Sequence, residues 1–237
     1  MKEFIYDKSL EEIETQINKF LKIKQDKKVI QGEVFTPFHL IIEMLEKLPK
    51  TIWKNPYLKW LDPGCGIGNF SMCVYFYLNN GLKSWEINDE KRHQHIIQKM
   101  LYMIEIDNEN INIAKSIFGS SCNIINCDYL NVDEWKSKIK ISQFDIIYGN
   151  PPYNKNGMRG KGRSNPGLSV IWNKFVELSL KILKEKGFCL FFTPNSWTEL
   201  KSPLSRLIMK HQIEYIKNFD TPNAYKLFEK KAGSLPL

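Results

Sequence analysis

No apolar run in this chain approaches the roughly 20 residues that a bilayer-spanning helix needs, and the opening Met1-Lys2-Glu3-Phe4 has no apolar signal region. A soluble, cytoplasmic protein is expected. Cysteine is sparse: Cys65, Cys73, Cys122, Cys127 and Cys189 are odd in number and contain no C-x-x-C pair. That speaks against a disulfide framework and for reduced, mostly buried thiols. Histidine is scarcer, with four residues. His93 and His95 stand two apart and do not share a helix face, so a solvated surface is expected there and no metal site. Acidic residues are outnumbered, 26 against 34 Lys and Arg, which leaves a net charge of +8. Such a balance suits a polyanionic partner by steering. No internal repeat is apparent. What is present in quantity is apolar: 43% of 237 residues, enough for one large α/β domain.

Strand-like and helix-like segments alternate. Leu58–Asp62, Met100–Ile106, Asn123–Asn126, Phe144–Tyr148, Phe188–Thr193 and Ile213–Phe219 read as strands. Residues 4–30 read as one or two helices with the stripe Ile13, Ile17, Phe20, Leu21. Thr36 is placed to cap a helix with Pro37 in its first turn, carrying Leu40, Ile41, Met44, Leu45 and Leu48. Further helices are expected from Asn69, over Asp107–Phe118 with Asp107 as its cap, over Val170–Leu183 closed by Lys184-Glu185-Lys186-Gly187, and over Leu204–His211. Residues 79–99 are polar and expected to be exposed. The alternation implies an α/β fold, a mainly parallel sheet with helices on both faces. An N-terminal helical segment, 1–50, precedes a domain over 51–237.

Chemistry concentrates where strands end, the rim at which open α/β sheets bind ligands. The fourth strand runs into Asn150-Pro151-Pro152-Tyr153. The Asn150 side-chain carbonyl and the Pro151 backbone carbonyl can both accept from one exocyclic NH₂. Two acceptors on one amino group favour a pyramidal nitrogen with a usable lone pair, which suits methylation of a weakly nucleophilic planar nitrogen. Tyr153 offers a face for a flipped base, and Pro151 and Pro152 stiffen the segment. The first strand ends in Asp62-Pro63-Gly64-Cys65-Gly66-Ile67-Gly68 and opens a helix. Its glycines allow close backbone approach. The sixth position of the motif, counting Gly64 as the first, departs from the dinucleotide pattern, being Asn69. Asp62 would repel a pyrophosphate but attract an ammonium, which favours the amino-acid end of S-adenosylmethionine. Glu105 ends the second strand and can accept from ribose hydroxyls, and Asp128 follows the third and can accept from an adenine amino group. Ile106 and Tyr129, which follow these two acids, are grouped with them. Lys155, Arg159, Lys161 and Arg163, interleaved with Gly157, Gly160 and Gly162, form a basic segment after the tetrapeptide, suited to phosphate contact.

These residues resemble the N6-adenine DNA methyltransferases of restriction–modification systems, in the gamma arrangement, where a Phe-Thr-Pro segment precedes the glycine turn and the catalytic tetrapeptide. Phe35-Thr36-Pro37 is similar to that segment, which lines the methionine end of the cofactor. The resemblance spans about residues 31 to 220. It implies a Rossmann-like methyltransferase fold, S-adenosylmethionine as cofactor through Phe35, Thr36, Pro37, Asp62, Gly64, Gly66, Glu105, Ile106, Asp128, Tyr129 and Asn150, and catalysis by Asn150, Pro151, Pro152 and Tyr153. Phe175 resembles an aromatic that packs on the cofactor adenine, with helix core as its other reading. Asn195 lies in Phe191–Trp197, similar to a strand ending that shapes the target pocket, and is grouped with the basic segment as a nucleic-acid contact. The partner implied is double-stranded DNA with a flipped adenine. The family's last antiparallel strand would begin near Ala232–Leu237, so an incomplete sheet is expected, with no target-recognition domain and with a second chain as a candidate to supply recognition. A glutamine or RNA amino-group methyltransferase, or a non-catalytic DNA-binding subunit, would fit part of the same pattern.

Overall fold

The computed structural model describes residues 9, 11–12, 14–15, 36–153, 170–199 and 202–220. Most of the expected N-terminal helix, Phe35, the basic segment with Lys155, Arg159, Lys161 and Arg163, and residues 221–237 lie outside the described residues.

Five parallel strands form one sheet in the order β3-β2-β1-β4-β5. They are β1 (Trp60–Asp62), β2 (Leu101–Glu105), β3 (Asn123–Asn126), β4 (Phe144–Gly149) and β5 (Leu183–Phe191). Seven α-helices are described: α1 (Phe38–Leu45), α2 (Asn69–Gly81), α3 (Asp89–His95), α4 (Asn108–Phe118), α5 (Val132–Lys138), α6 (Trp172–Ile182) and α7 (Pro203–Ile208). The chain builds outward from β1 to β3, then returns to place β4 on the other side of β1. Parallel pairing of β1 with both β2 and β4 puts the loops after β1 and β4 side by side. That reversal of winding is the crevice in which such sheets hold ligands.

Period-two alternation sorts the strand side chains into two layers. Trp60, Leu101, Met103 and Ile146 join the core beneath α1, α2 and α4, where Ile41, Leu45, Phe70, Leu78 and Phe118 are buried. Leu61, Tyr102, Ile104 and Ile147 join the opposite core under α5 and α6, with Trp135 and Phe175. Phe144 and Ile146 fall in different layers although they are two apart, because the β4–β5 register shifts between them. The Lys184–Gly187 stretch expected to close a helix is the bulged start of β5, with Lys186 at φ 61°.

Three expectations are corrected. Residues 79–99 are not a solvated surface throughout: Arg92 and His93 are buried. The Arg92 guanidinium donates to Asn79 Oδ1, to the Glu86 and Ile87 carbonyls and to Asp89, and His93 Nδ1 bonds the Tyr75 hydroxyl at 2.9 Å. Hydrogen bonds from all three guanidinium nitrogens to local acceptors are what let such a polar group go inside. Ile213–Phe219 is not a strand. Lys217 donates to both Glu43 oxygens at 2.5 and 2.8 Å, Tyr215 to one of them at 3.4 Å, and Lys47 lies 4.8 Å from the Tyr215 ring centroid. The segment is thus held against α1, with Ile213 and Ile216 exposed. Thr36 does not cap α1; Pro37 holds that position without a side-chain bond, and the Thr36 hydroxyl is used elsewhere. All five cysteines are free, four of them buried. Among the described residues no helix is long and apolar enough to cross a membrane.

Candidate active site

The glycine turn after β1 is held from both sides. Glu105 Oε2 accepts the Gly66 N–H at 2.7 Å, while Oε1 accepts those of Ile106 and Asp107 at 3.0 and 2.9 Å. Gly66 and Gly68 have φ of 56° and 94°, in the left-handed region that favours glycine. A Cβ on Gly68 would lie 2.8 Å from Phe118 Cε2, whereas one on Gly66 would meet nothing within 4 Å among the described residues. Open space therefore lies over the turn beside Glu105.

Asp62 is only 1% exposed. Its Oδ2 accepts from Ser71 Oγ at 3.1 Å, Ser71 Oγ also bonds the buried Tyr148 hydroxyl at 3.0 Å, and Oδ1 lies 3.4 Å from the Gly64 nitrogen. Burial pushes the Asp62 carboxyl up to about 7; the Ser71 and Gly64 bonds pull it down and the Glu105 charge adds to the rise. The carboxyl group sits buried beneath the turn rather than on its surface. Ser71 and Tyr148 were not legible as site residues: a Ser in the first turn of a helix and a Tyr in an apolar strand carry no distinguishing signal. Cys65 is buried, and burial holds its thiol well above the ordinary thiol range, which makes it a poor nucleophile.

The tetrapeptide follows β4 as expected. Asn150 Nδ2 donates to Thr36 Oγ1 at 3.0 Å. Its Oδ1 is enclosed and has no hydrogen-bond partner among the described residues. A Cβ on Gly64 would sit 3.7 Å from Pro152 Cδ and 3.8 Å from Phe175 Cε1, so the turn, the tetrapeptide and α6 meet at that point. Phe175 is core, 5.0 Å from Tyr129 between ring centroids, and its ring edge also reaches the glycine turn. Tyr153 packs on the Trp172, Val176, Leu204 cluster with Trp197, and burial pushes its phenol up to about 12.

The remaining candidates divide. Ile106 is 69% exposed and Asp128 is exposed, with Asp128 Oδ1 accepting the Leu130 N–H at 2.9 Å. Both are exposed just beyond the ends of their strands. Tyr129 does not: its ring is buried and its hydroxyl bonds Ser179 at 2.9 Å, so as a side-chain contact it is corrected to core. Asn195 is exposed, at the start of a 3₁₀ turn (Asn195–Thr198). Asp107 caps α4, accepting from Glu109 and Asn110. The set at β1–β3 is thus carboxylates around an open backbone turn. That chemistry fits a group bearing cationic and hydroxyl functions, and it disfavours a pyrophosphate.

Comparison with known proteins gives a consistent picture. The family model described as Eco57I restriction-modification methylase matches residues 5–228. An "Uncharacterized adenine-specific methylase" of Mycoplasma pneumoniae is 24% identical, over 78% of this chain and 59% of its own length. A modification subunit of a putative type I restriction enzyme from Vibrio vulnificus superposes with a TM-score of 0.58 at 17% identity, covering 85% of this chain and 42% of that one. A putative class I S-adenosylmethionine-dependent methyltransferase from Listeria monocytogenes also gives 0.58, at 19% identity, covering 87% and 61%. The fold is that of the S-adenosylmethionine-dependent methyltransferases, and this chain spans about three-fifths or less of the length of each of these relatives.

Proposed function

This chain belongs to the Eco57I restriction-modification methylase family, and from that premise we propose that it carries the catalytic unit of a DNA adenine-N6 methyltransferase that uses S-adenosylmethionine and serves a restriction–modification system. One observation carries the reading. Asn150 Oδ1 is an enclosed acceptor with no partner among the described residues. An orphaned acceptor of this kind costs about 1–3 kcal/mol and calls for an explanation. A substrate N–H donor arriving at that atom relieves the cost; an amine reaches it by displacing the groups that surround it.

Glu105 would hold the ribose hydroxyls, Ile106 and Asp128 the adenine, and the backbone of Gly64 and Gly66 with the Asp62 field the amino-acid end. When bound, the cofactor supplies a methyl group already activated on a sulfonium, so no covalent enzyme intermediate is required. Asn150 Oδ1 and the Pro151 carbonyl accept from the exocyclic NH₂, hold its lone pair toward the donor and stabilise positive charge as it grows on nitrogen. Tyr153 and the Trp172–Trp197 cluster form the apolar wall against which a flipped base would rest. The net positive charge and the Lys155–Arg163 segment suit DNA phosphates. The Vibrio vulnificus relative is a modification subunit, which supports a second chain as the source of target recognition here.

The test is to incubate the chain with tritiated S-adenosylmethionine and, in parallel, double-stranded DNA, RNA and protein acceptors. Label in DNA alone is expected. Label confined to RNA or protein moves the reading to the other amino-group methyltransferases, and label in none of them removes it.

A further inference from the structure

Three segments remote in sequence meet at Thr36. Its side chain is buried, its carbonyl accepts from Asn69 Nδ2 at 3.1 Å, and its hydroxyl oxygen accepts from Asn150 Nδ2 at 3.0 Å. Asn69 is the first residue of α2, directly after the glycine turn, and Asn150 directly follows β4. A primary amide is nearly symmetric in shape but not in function. A half-turn about its last bond exchanges an acceptor for two donors. Only the carbonyl can take a bond from an amine.

We infer that Thr36 is a positioning residue for the catalytic amide: its hydroxyl takes the NH₂ end of Asn150 and thereby turns the carbonyl toward the target amine. This rests on the proposed transfer to an amino group. The enclosed position now held by Oδ1 contains no partner among the described residues. In the reversed orientation that position would receive an NH₂ with both protons unpaired, and buried unpaired N–H groups are rarer than underused carbonyls. The hydroxyl of Thr36 thus meets the more demanding end of the amide and leaves the carbonyl for substrate. Asn69 fixes the Thr36 backbone, so the turn that serves the cofactor and the amide that serves the target are tied through one residue.

The inference is tested with Thr36→Val, which keeps the shape and deletes the acceptor, and Thr36→Ser, which keeps the hydroxyl. At saturating cofactor, kcat of Thr36→Val is expected to fall roughly tenfold to hundredfold, as for loss of an oriented hydrogen-bonding group, and Thr36→Ser to restore most of it. A second readout needs no activity. The side-chain NH₂ resonances of Asn150, assigned by their absence in Asn150→Asp, are expected to shift and exchange faster with water in Thr36→Val. If that variant does not fold, Asn69→Ala, which unties Thr36 at its carbonyl, is expected to shift the same resonances less strongly. Unmoved resonances overturn the inference whatever turnover does, and so does kcat unchanged at saturating cofactor. If the parent chain methylates no acceptor, the proposed function fails while the resonances still decide the role of Thr36.

Discussion

Replacing Asn150 by alanine separates function from stability, because the two effects have different origins in this site. The amide makes one observed hydrogen bond, to Thr36, whose loss costs about 0.5–1.5 kcal/mol. The same change removes an enclosed acceptor that lacks a partner among the described residues, which returns about 1–3 kcal/mol. At mid-range the two leave a net change of about 1 kcal/mol, toward greater stability. For a chain of 237 residues that moves Tm by no more than about 4 °C. Turnover has no such compensation. An acceptor aimed at growing charge is worth about 3–4 kcal/mol, roughly a hundredfold to a thousandfold in rate. Differential scanning fluorimetry and single-turnover transfer of tritiated methyl measure the two quantities on one preparation. A melting point lowered by 10 °C or more would show the amide to be a structural strut. Turnover within tenfold of the parent would show that another group holds the amine.

Two buried ionisable groups and two glycines give further expectations. Asp62 has its carboxyl raised to about 7 by burial. Its protonation therefore contributes stability that is complete below the unfolded value near 4 and lost as pH rises through 7. Asp62→Asn should lose that dependence, so urea melts of parent and variant should diverge between pH 4 and 7, and parallel curves would contradict the burial. His93 is lowered to about 4, chiefly by burial. Its neutral form contributes stability that is present above about 6.5 and lost as pH falls through 4. His93→Gln should flatten the acid limb of Tm against pH, and an unchanged limb would place that sensitivity elsewhere. Gly68→Ala combines positive φ with a Cβ 2.8 Å from Phe118 and should cost about 1–3 kcal/mol. Gly66→Ala, with open space at its Cβ, should cost about 1–2 kcal/mol; equal losses in denaturant titration would mean that Phe118 yields.

The sheet was legible because its strands are short apolar runs ending in polar or glycine residues, as in Phe144–Gly149 before Asn150. Its order was not legible from any strand; it follows from parallel pairing of β1 with β4. Glu105 was readable as a carboxylate at a strand end, yet its bond to the Gly66 N–H of the glycine turn depends on how β1 and β2 pair, while those from Ile106 and Asp107 are local. Arg92 and His93 were misread because a charged string shows no apolar period; their burial depends on hydrogen-bond partners at Asn79, Glu86 and Tyr75 that only the folded chain supplies. Thr36 fits a helix cap by local pattern, but its hydroxyl meets a partner 114 residues away. Ile213–Phe219 has strand-like composition, and ion pairing with Glu43 takes it to α1 instead. Local patterns named the groups; long-range contacts decided their use.

The most direct test is the identity of the methylated atom. DNA treated with the chain and S-adenosylmethionine, digested to nucleosides and analysed by mass spectrometry, should contain N6-methyladenine, and none should form on duplexes in which purine replaces adenine. Methyl found on a ring nitrogen or on cytosine carbon, or undiminished incorporation without the exocyclic amine, would contradict the role given to the Asn150 carbonyl.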